Sequence, residues 1–401
     1  MVYVKREGII LEGTSLEFEN EGVMNPAVIA EGNTVHMFYR AVREGNYSSI
    51  GYCRLEGPLT VVERDTLPLL VSEFDYECQG VEDPRIVKIE DLYYLTYTAY
   101  DGYSAVGALA VSSDLRHFEK KGVITSQITY PQFREQLRTQ QAIISKYFRS
   151  GNKREATNEK GHPLYMMDKN VVLFPRKING KFYFMHRIRP DIQYVAVERL
   201  DMLTKEFWKR YYQNFAKRIL LAPYHDHESS YIGAGCPPIE TKAGWLLIYH
   251  SVYDTPSGYV YSACAALLDI DNPAIEISRL PYPLFTPEAE YELSGVVNRV
   301  CFPTGTALFG DTLYIYYGAA DKYVACVSVQ LTKIICITTY PPRECGIATF
   351  AQDLIRAILS KFGDSYSIKI CAVESDTEKQ TCTGDVEYVL DTSDISAYAT
   401  L

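Results

Sequence analysis

The stretch EDPRIVKIEDLYYLTYTAY, residues 82–100, decides how the rest of the chain is read. It opens on two carboxylates and an arginine around Pro84, then passes into alternating apolar and polar residues. The pair Glu90-Asp91 turns the chain, and a segment rich in aromatic and β-branched residues follows from Tyr93 to Tyr97. That pattern predicts a strand, a tight turn and a second strand. Proline fixes its own φ and pushes the preceding residue toward extended backbone, so Asp83 is expected at a strand entrance in extended form. A carboxyl so placed, with a cation two residues on, suits a tuned general acid. The alternative is an Asp that caps a turn and pairs with Arg85.

Working outward, the theme returns as NPAVIAEGNTVHMFYRAV (25–42), KNVVLFPRKINGKFYFMHRI (169–188), GCPPIETKAGWLLIYHSV (235–252) and CFPTGTALFGDTLYIYYGAAD (301–321). The central turns carry their own signals: Gly32-Asn33, Asn179-Gly180, Gly244 and Gly310-Asp311. Aligning the second strands places Tyr39, Tyr97, His186, Tyr249 and Tyr317 in register, followed by Arg40, Thr98, Arg187, His250 and Gly318. Fivefold all-β self-similarity at a period of roughly 60–70 residues is the signature of a propeller. The fold class expected over residues 1–330 is therefore an all-β, five-bladed β-propeller; unrelated hairpins in a β-sandwich are the competing reading. In a propeller the innermost strands converge, which would bring Asp83, Arg187 and His250 together.

Residues 124–165 interrupt the series. Their centre, PQFREQLRTQQAIISKYFR, has apolar residues at helical spacing, and a charged loop, SGNKREATNEKGHP, follows. A surface insertion is expected, with a lid or an oligomer contact left open. Beyond Val329 the character changes. LTKIICITTY reads as a buried strand, PPRECGIATF as a loop, AQDLIRAILSKFG as an amphipathic helix and SYSIKICAVES as another strand. Residues 331–401 thus form a short β-α-β unit of the parallel, Rossmann-like kind, too small to cover both faces of a parallel sheet and expected to be a fragment of a longer polypeptide.

A net charge of -10 and a pI near 5.3 argue against a nucleic-acid partner. No apolar run reaches membrane-spanning length, and the N-terminus lacks the core of a signal peptide. Ten cysteines without a CxxC pair read as reduced core thiols of a cytoplasmic protein. In Tyr224-His225-Asp226-His227-Glu228 the two imidazoles would share one face of an extended chain, but no third ligand is evident and no metal is expected.

Taken together, NPA at the start, EDPR in the second copy, KN then HR in the third, GAGCPPI with IYH in the fourth and YYGAAD in the fifth resemble glycoside hydrolase family 130. These are the mannoside phosphorylases and related mannosidases, which are five-bladed propellers. The tail, through TTYPPRECGIATFAQDL (338–354), resembles the start of a family 4 glycosyltransferase, without the second domain that holds most of the nucleotide-sugar site. No transferase activity is expected of this chain.

The family resemblance implies Asp83 as the general acid, acting through a hydroxyl of the bound mannose. It implies Lys169, Asn170, Arg187, His250 and Tyr259 around inorganic phosphate, a co-substrate with no further cofactor. Asn25, Arg40, Arg85, Ser49 and Asp321 would contact the sugar. Arg43, Tyr47 and Ser48 would frame the acceptor side, and Tyr100 or Tyr103 would offer a stacking face. Phosphate arrives already anionic, so a phosphorylase needs donors and cations rather than a base. The activity expected is inverting phosphorolysis of a β-1,4- or β-1,2-linked manno-oligosaccharide or mannosyl-N-acetylglucosamine, giving α-mannose 1-phosphate. Competing readings are a β-mannosidase, with Glu240 or Glu228 activating water, and a non-catalytic carbohydrate-binding propeller. Whether the chain forms a homo-oligomer is left open.

Overall fold

A computed structural model of the chain describes residues 2–149, 154–330, 333–341, 345–362, 367–374 and 386–392. Two compact units emerge, Met1–Phe309 with Leu313–Val329, and Gly310–Thr312 with Gln330–Leu401.

In the first unit, β1 (Val4–Leu11) is followed by a meander of β2 (Gly22–Glu31), β3 (Thr34–Arg43), β4 (Tyr47–Glu56) and β5 (Thr60–Arg64). A second meander comprises β6 (Gly80–Ile89), β7 (Leu92–Tyr100), β8 (Ala105–Ser112) and β9 (Glu119–Val123). After α1 (Tyr130–Gln136) and α2 (Gln141–Arg149) come β10 (Lys169–Leu173), β11 (Phe182–Arg187), β12 (Ile192–Val197), α3 (Lys205–Gln213) and β13 (Ile219–Leu221). The fourth sheet holds β14 (Tyr231–Ala234), β15 (Ile239–Thr241), β16 (Gly244–Thr255), β17 (Gly258–Leu268) and β18 (Glu276–Arg279). The short α4 (Glu290–Leu293) leads to β19 (Cys301–Phe309), β20 (Thr312–Ala319) and β21 (Tyr323–Gln330), and β1 pairs antiparallel with β21 to complete that sheet. The first strands of successive meanders lie side by side: β2 with β6, β6 with β10, β10 with β14, and β19 back against β2. This arrangement fits a β-propeller-like fold.

Alternation of apolar and polar residues builds these sheets, and the apolar faces stack between them. Phe38, Tyr52, Leu95 and Tyr97 pack in one such core; Met185, Trp245, Leu247 and Tyr249 pack in another. The inserted segment is not a surface appendage as expected. Tyr130, Phe133, Leu137, Tyr147 and Phe148 are buried in one cluster with Trp208, Tyr211 and Tyr212 of α3 and with Phe215. Phe133 meets Tyr212 edge-on at 5.4 Å between ring centroids. Helix α3 escaped the sequence reading, although Thr204 caps it by accepting from the Phe207 amide, and its aromatic residues repeat at helical spacing.

In the second unit, β22 (Lys333–Thr338), β23 (Ser367–Glu374) and β24 (Val386–Asp391) form a parallel sheet, with α5 (Gly346–Phe362) between the first two. The helix begins inside the segment expected to be loop. Tyr340, Ile355, Ile370 and Ala372 make its core. Among the described residues no helix is long and apolar enough to cross a membrane.

Candidate active site

The pairing of β2 with β3, β6 with β7 and β10 with β11 slips at one place in each, between Met24 and Ala27, Glu82 and Arg85, and Lys169 and Val172. Inside each slip sits a residue with left-handed backbone: Asn25 at φ 50°, Asp83 at 48° and Asn170 at 54°. Asp83 is therefore not extended, as the following proline suggested. Asn and Asp tolerate this region better than other side chains. A bulge of this kind re-aims a side chain, and all three residues line one cavity of about 420 Å3.

On one side the Asn25 amide donates to Asp83 Oδ1 at 2.7 Å, and Arg40 Nη1 approaches the same oxygen at 3.4 Å. Arg40 Nη2 donates to Glu82 Oε1 at 2.7 Å, its Nε to Ser48 Oγ at 2.9 Å, and Lys169 Nζ to Glu82 Oε2 at 3.3 Å. Glu82, which the sequence reading passed over in favour of its neighbour, thus bridges two cations. Burial works to raise the Asp83 pKa, but Arg40, Lys169, the Asn25 amide and Arg85 outweigh it and hold the carboxyl below its ordinary range. Asp321 lines the same cavity with left-handed backbone, φ 49°. Its carboxyl is pushed up to about 6, first by burial, with Asp83 and Glu82 adding to it against Arg40 and Lys169.

On another side Arg187 is buried and donates from Nη1 to His250 Nε2 at 3.1 Å. Arg can only donate, so that nitrogen carries the lone pair and Nδ1 carries the proton. Burial, then Arg187, Arg85 and Arg189, drive the His250 pKa far down, which keeps the ring neutral. Burial and Arg189 bring Arg187 down to about 10, still protonated at neutral pH. Arg189 lies over the Tyr231 ring at 3.8 Å and donates to its hydroxyl at 2.8 Å, and the Tyr231 and Tyr261 hydroxyls are 2.6 Å apart. Two glycines leave room for this packing. A Cβ on Gly233 would stand 2.6 Å from His250 Nε2 and 3.0 Å from Arg187 Cδ, and one on Gly318 would collide with the Asn25 amide.

Asn25, Arg40, Asp83, Lys169, Asn170, Arg187 and Asp321 are thus brought together at the cavity. Others are placed differently. Arg85 is buried and donates to the carbonyls of Gly235, Asp83 and Pro84, so it braces the bulge from behind. His250 stands behind Arg187. Tyr259 is 44% exposed beside the cavity, and Tyr261, two residues on along the same strand face, lines it instead. Ser49 points away, because successive residues of a strand alternate and Ser48 holds Arg40. Glu240 is on the surface, paired with Arg176, and Glu228 is fully buried against Tyr249 and Arg279; neither lines the cavity. His225 and His227 stack 5.3 Å apart, away from the cavity.

The wall also includes Tyr130 and Arg154 of the insertion, with Arg189, Tyr231, Tyr261 and Phe302. Arg189 was legible as a second arginine two residues beyond Arg187, past the end of β11; the insertion residues were not, because the insertion had no recognised partner. Among the described residues, Asn25 Oδ1, both polar atoms of the Asn170 amide, Arg187 Nε and His250 Nδ1 are buried with no hydrogen-bond partner. Buried polar atoms are normally satisfied. Asn25, Asn170 and Arg187 line one cavity, and a cluster of such atoms there marks a site built for a polar ligand.

The family model described as beta-1,4-mannooligosaccharide phosphorylase matches residues 10–163 and 132–339. A 1,2-beta-oligomannan phosphorylase of Thermoanaerobacter sp. (strain X514) is 31% identical over 349 residues, covering 83% of this chain and 99% of that protein. A beta-1,2-mannobiose phosphorylase of the same organism is 33% identical over 336 residues, covering 79% and 93%. The structure of beta-1,2-mannobiose phosphorylase from Listeria innocua in complex with beta-1,2-mannobiose aligns with TM-score 0.61 at 23% identity, over 82% of this chain and 96% of that one, a likeness of fold. With the family model matched over most of its length, and relatives of this identity aligned almost end to end, the chain belongs to glycoside hydrolase family 130.

Proposed function

We propose that this chain is an inverting mannoside phosphorylase that cleaves β-1,2- or β-1,4-linked manno-oligosaccharides, or mannosyl-N-acetylglucosamine, and releases α-mannose 1-phosphate. The observation that carries the reading is one cavity holding both a tightly bonded carboxyl, Asp83, and the cations Lys169, Arg187 and Arg189, with unsatisfied polar atoms on Asn170 and Arg187. Relatives named as mannoside phosphorylases support it.

The division of labour follows from charge. Phosphate binds where Lys169 and Arg187 supply positive charge, with the neutral His250 orienting the guanidinium and Tyr261 adding a hydroxyl. An oxygen of phosphate attacks the anomeric carbon as the glycosidic bond breaks, and the proton of Asp83 passes through a mannose hydroxyl to the leaving oxygen. Arg40 and Lys169 favour the ionised form of Asp83. Arrival of a dianion beside Lys169 offsets that charge, so the carboxyl takes up the proton the reaction needs. Asn25, Arg40 and Asp321 hold the sugar, while Arg85 acts through the bulge.

In this reading the five antiparallel meanders are the blades of a five-bladed propeller over residues 1–330, and residues 331–401 are a separate α/β unit of glycosyltransferase type. A hydrolase on the same scaffold has one observation in its favour. Asp321 lines the cavity with its carboxyl pushed up to about 6, as a water-activating base would require. Incubation with β-1,2- and β-1,4-mannobiose, with and without phosphate, separates the two. Mannose 1-phosphate formed only with phosphate supports phosphorolysis; free mannose released at equal rates in both overturns it.

A further inference from the structure

Each meander carries a buried carboxylate just ahead of its first strand, bonded to the aligned residue of its second. Tyr39 donates to Glu19 at 2.8 Å, Tyr97 to Glu77 at 2.9 Å, Tyr249 to Glu228 at 2.5 Å and Tyr317 to Glu292 at 2.6 Å. A cation from the outermost strand closes each set: Arg64 on Glu19, Lys120 on Glu77, Arg279 on Glu228 and Arg6 on Glu292. The sequence marks them as acidic–aromatic–Glu triplets, EFE (17–19), DYE (75–77), DHE (226–228) and EYE (290–292).

The third meander departs from this pattern. Asp168 Oδ1 lies 2.8 Å from His186 Nδ1, and His186 Nε2 lies 2.7 Å from the hydroxyl of Tyr211, on α3. All three residues are buried. A fully buried carboxylate and imidazole in contact fix one another's position, since breaking either bond strands a polar group without water. Asp168 immediately precedes Lys169, and His186 immediately precedes Arg187. Lys169 and Arg187 are themselves paired across β10 and β11. Among the described residues no other latch of this kind flanks two cavity cations.

We propose that Asp168, His186 and Tyr211 are positioning residues that set Lys169 and Arg187 for phosphate, tying the cation pair to helix α3. The proposal rests on the phosphate reading above. The replacement of phenol by imidazole has a physical rationale. An imidazole has two bonding nitrogens in one plane, so it links the carboxylate to α3, whereas the phenols of the other meanders each donate to their own carboxylate.

The test compares Tyr211→Phe with Tyr317→Phe, which breaks a latch followed by Gly318 rather than by a cation. For each, calorimetry measures binding of inorganic phosphate, kinetics give KM for phosphate and for mannobiose separately, and urea unfolding gives stability. Tyr211→Phe is expected to weaken phosphate binding and raise its KM about 10-fold with KM for mannobiose unchanged. Tyr317→Phe should lose stability with phosphate binding within about 2-fold of wild type. Equal effects of both variants on phosphate, or none from Tyr211→Phe, overturn the proposal. If Tyr211→Phe does not fold, Asp168→Asn replaces it. If the wild type binds no phosphate, the phosphate reading fails. The positioning claim is then decided by a crystal structure of the variant, in which retention of the Arg187–His250 contact at 3.1 Å refutes it.

Discussion

Gly233→Ala tests the packing of the cation pair most sharply. The added Cβ would stand 2.6 Å from His250 Nε2 and 3.0 Å from Arg187 Cδ. Comfortable contact needs about 3.5 Å, so the imidazole must retreat by roughly 1 Å, carrying the hydrogen bond to Arg187 with it. Behind it stands Phe302, whose ring centroid is 4.4 Å from that of His250, which leaves little room to yield. A misplacement of about 1 Å at a catalytic group costs on the order of 100-fold, or ~2.7 kcal/mol in kcat/KM. Overpacking costs about 1–3 kcal/mol of stability, partly offset by about 0.4–1 kcal/mol from the reduced freedom of the unfolded chain. The assay is kcat/KM for phosphate beside urea unfolding of the same preparation. A variant that keeps its wild-type kcat/KM for phosphate within about 3-fold would refute the assignment of Arg187 and His250 to that site.

Three further outcomes follow from the geometry. Asp83→Asn keeps a side chain that tolerates left-handed backbone, so it should fold normally and bind mannobiose, while kcat falls by about 10²–10⁴-fold as general-acid catalysis is lost. Asp321 has its pKa raised from 3.8 to about 6 on folding. The unfolded chain therefore releases this proton first, and the group costs stability increasingly as pH rises from about 4 to about 6. The stability advantage of Asp321→Asn over wild type should grow across that window by up to ~3 kcal/mol and then level off in urea titrations; an advantage independent of pH would contradict it. Phe133→Ala should cost about 3–5 kcal/mol, because the ring is fully buried among Tyr147, Tyr212 and Phe215, whereas a residue of a surface insertion would change stability by less than about 0.5 kcal/mol.

What the sequence made legible, and what it did not, has a physical basis. Strands with one apolar face alternate visibly, and tight turns demand Gly, Asn or Asp, so the hairpins could be placed from residues alone. Alignment of Tyr39, Tyr97, His186, Tyr249 and Tyr317 also located the cavity residues beside two of them, Arg40 and Arg187, and His250, which supports Arg187 from behind. The bulges were hidden, because a left-handed Asp83 before Pro84 runs against the local preference and is imposed by the sheet and by Arg85. Arg85 itself looked like a sugar contact because its burial depends on the carbonyl of Gly235, remote in sequence. Of the latch carboxylates only Glu228 was singled out, as a water-activating base, and the others drew no reading. They are recognisable only once each triplet is set against the tyrosine about twenty residues later. The inserted helices showed an amphipathic pattern, but its meaning depended on α3, whose aromatic face had not been recognised.

The central claim is that phosphate, not water, attacks the anomeric carbon. Proton and phosphorus NMR of one reaction, wild-type protein with β-1,2- or β-1,4-mannobiose and inorganic phosphate, follows both nucleophiles together. The account predicts one α-mannose 1-phosphate for each free mannose, with phosphate consumed in step and no product when phosphate is omitted. Two free mannoses for each bond cleaved, with the phosphate signal unchanged, would contradict it.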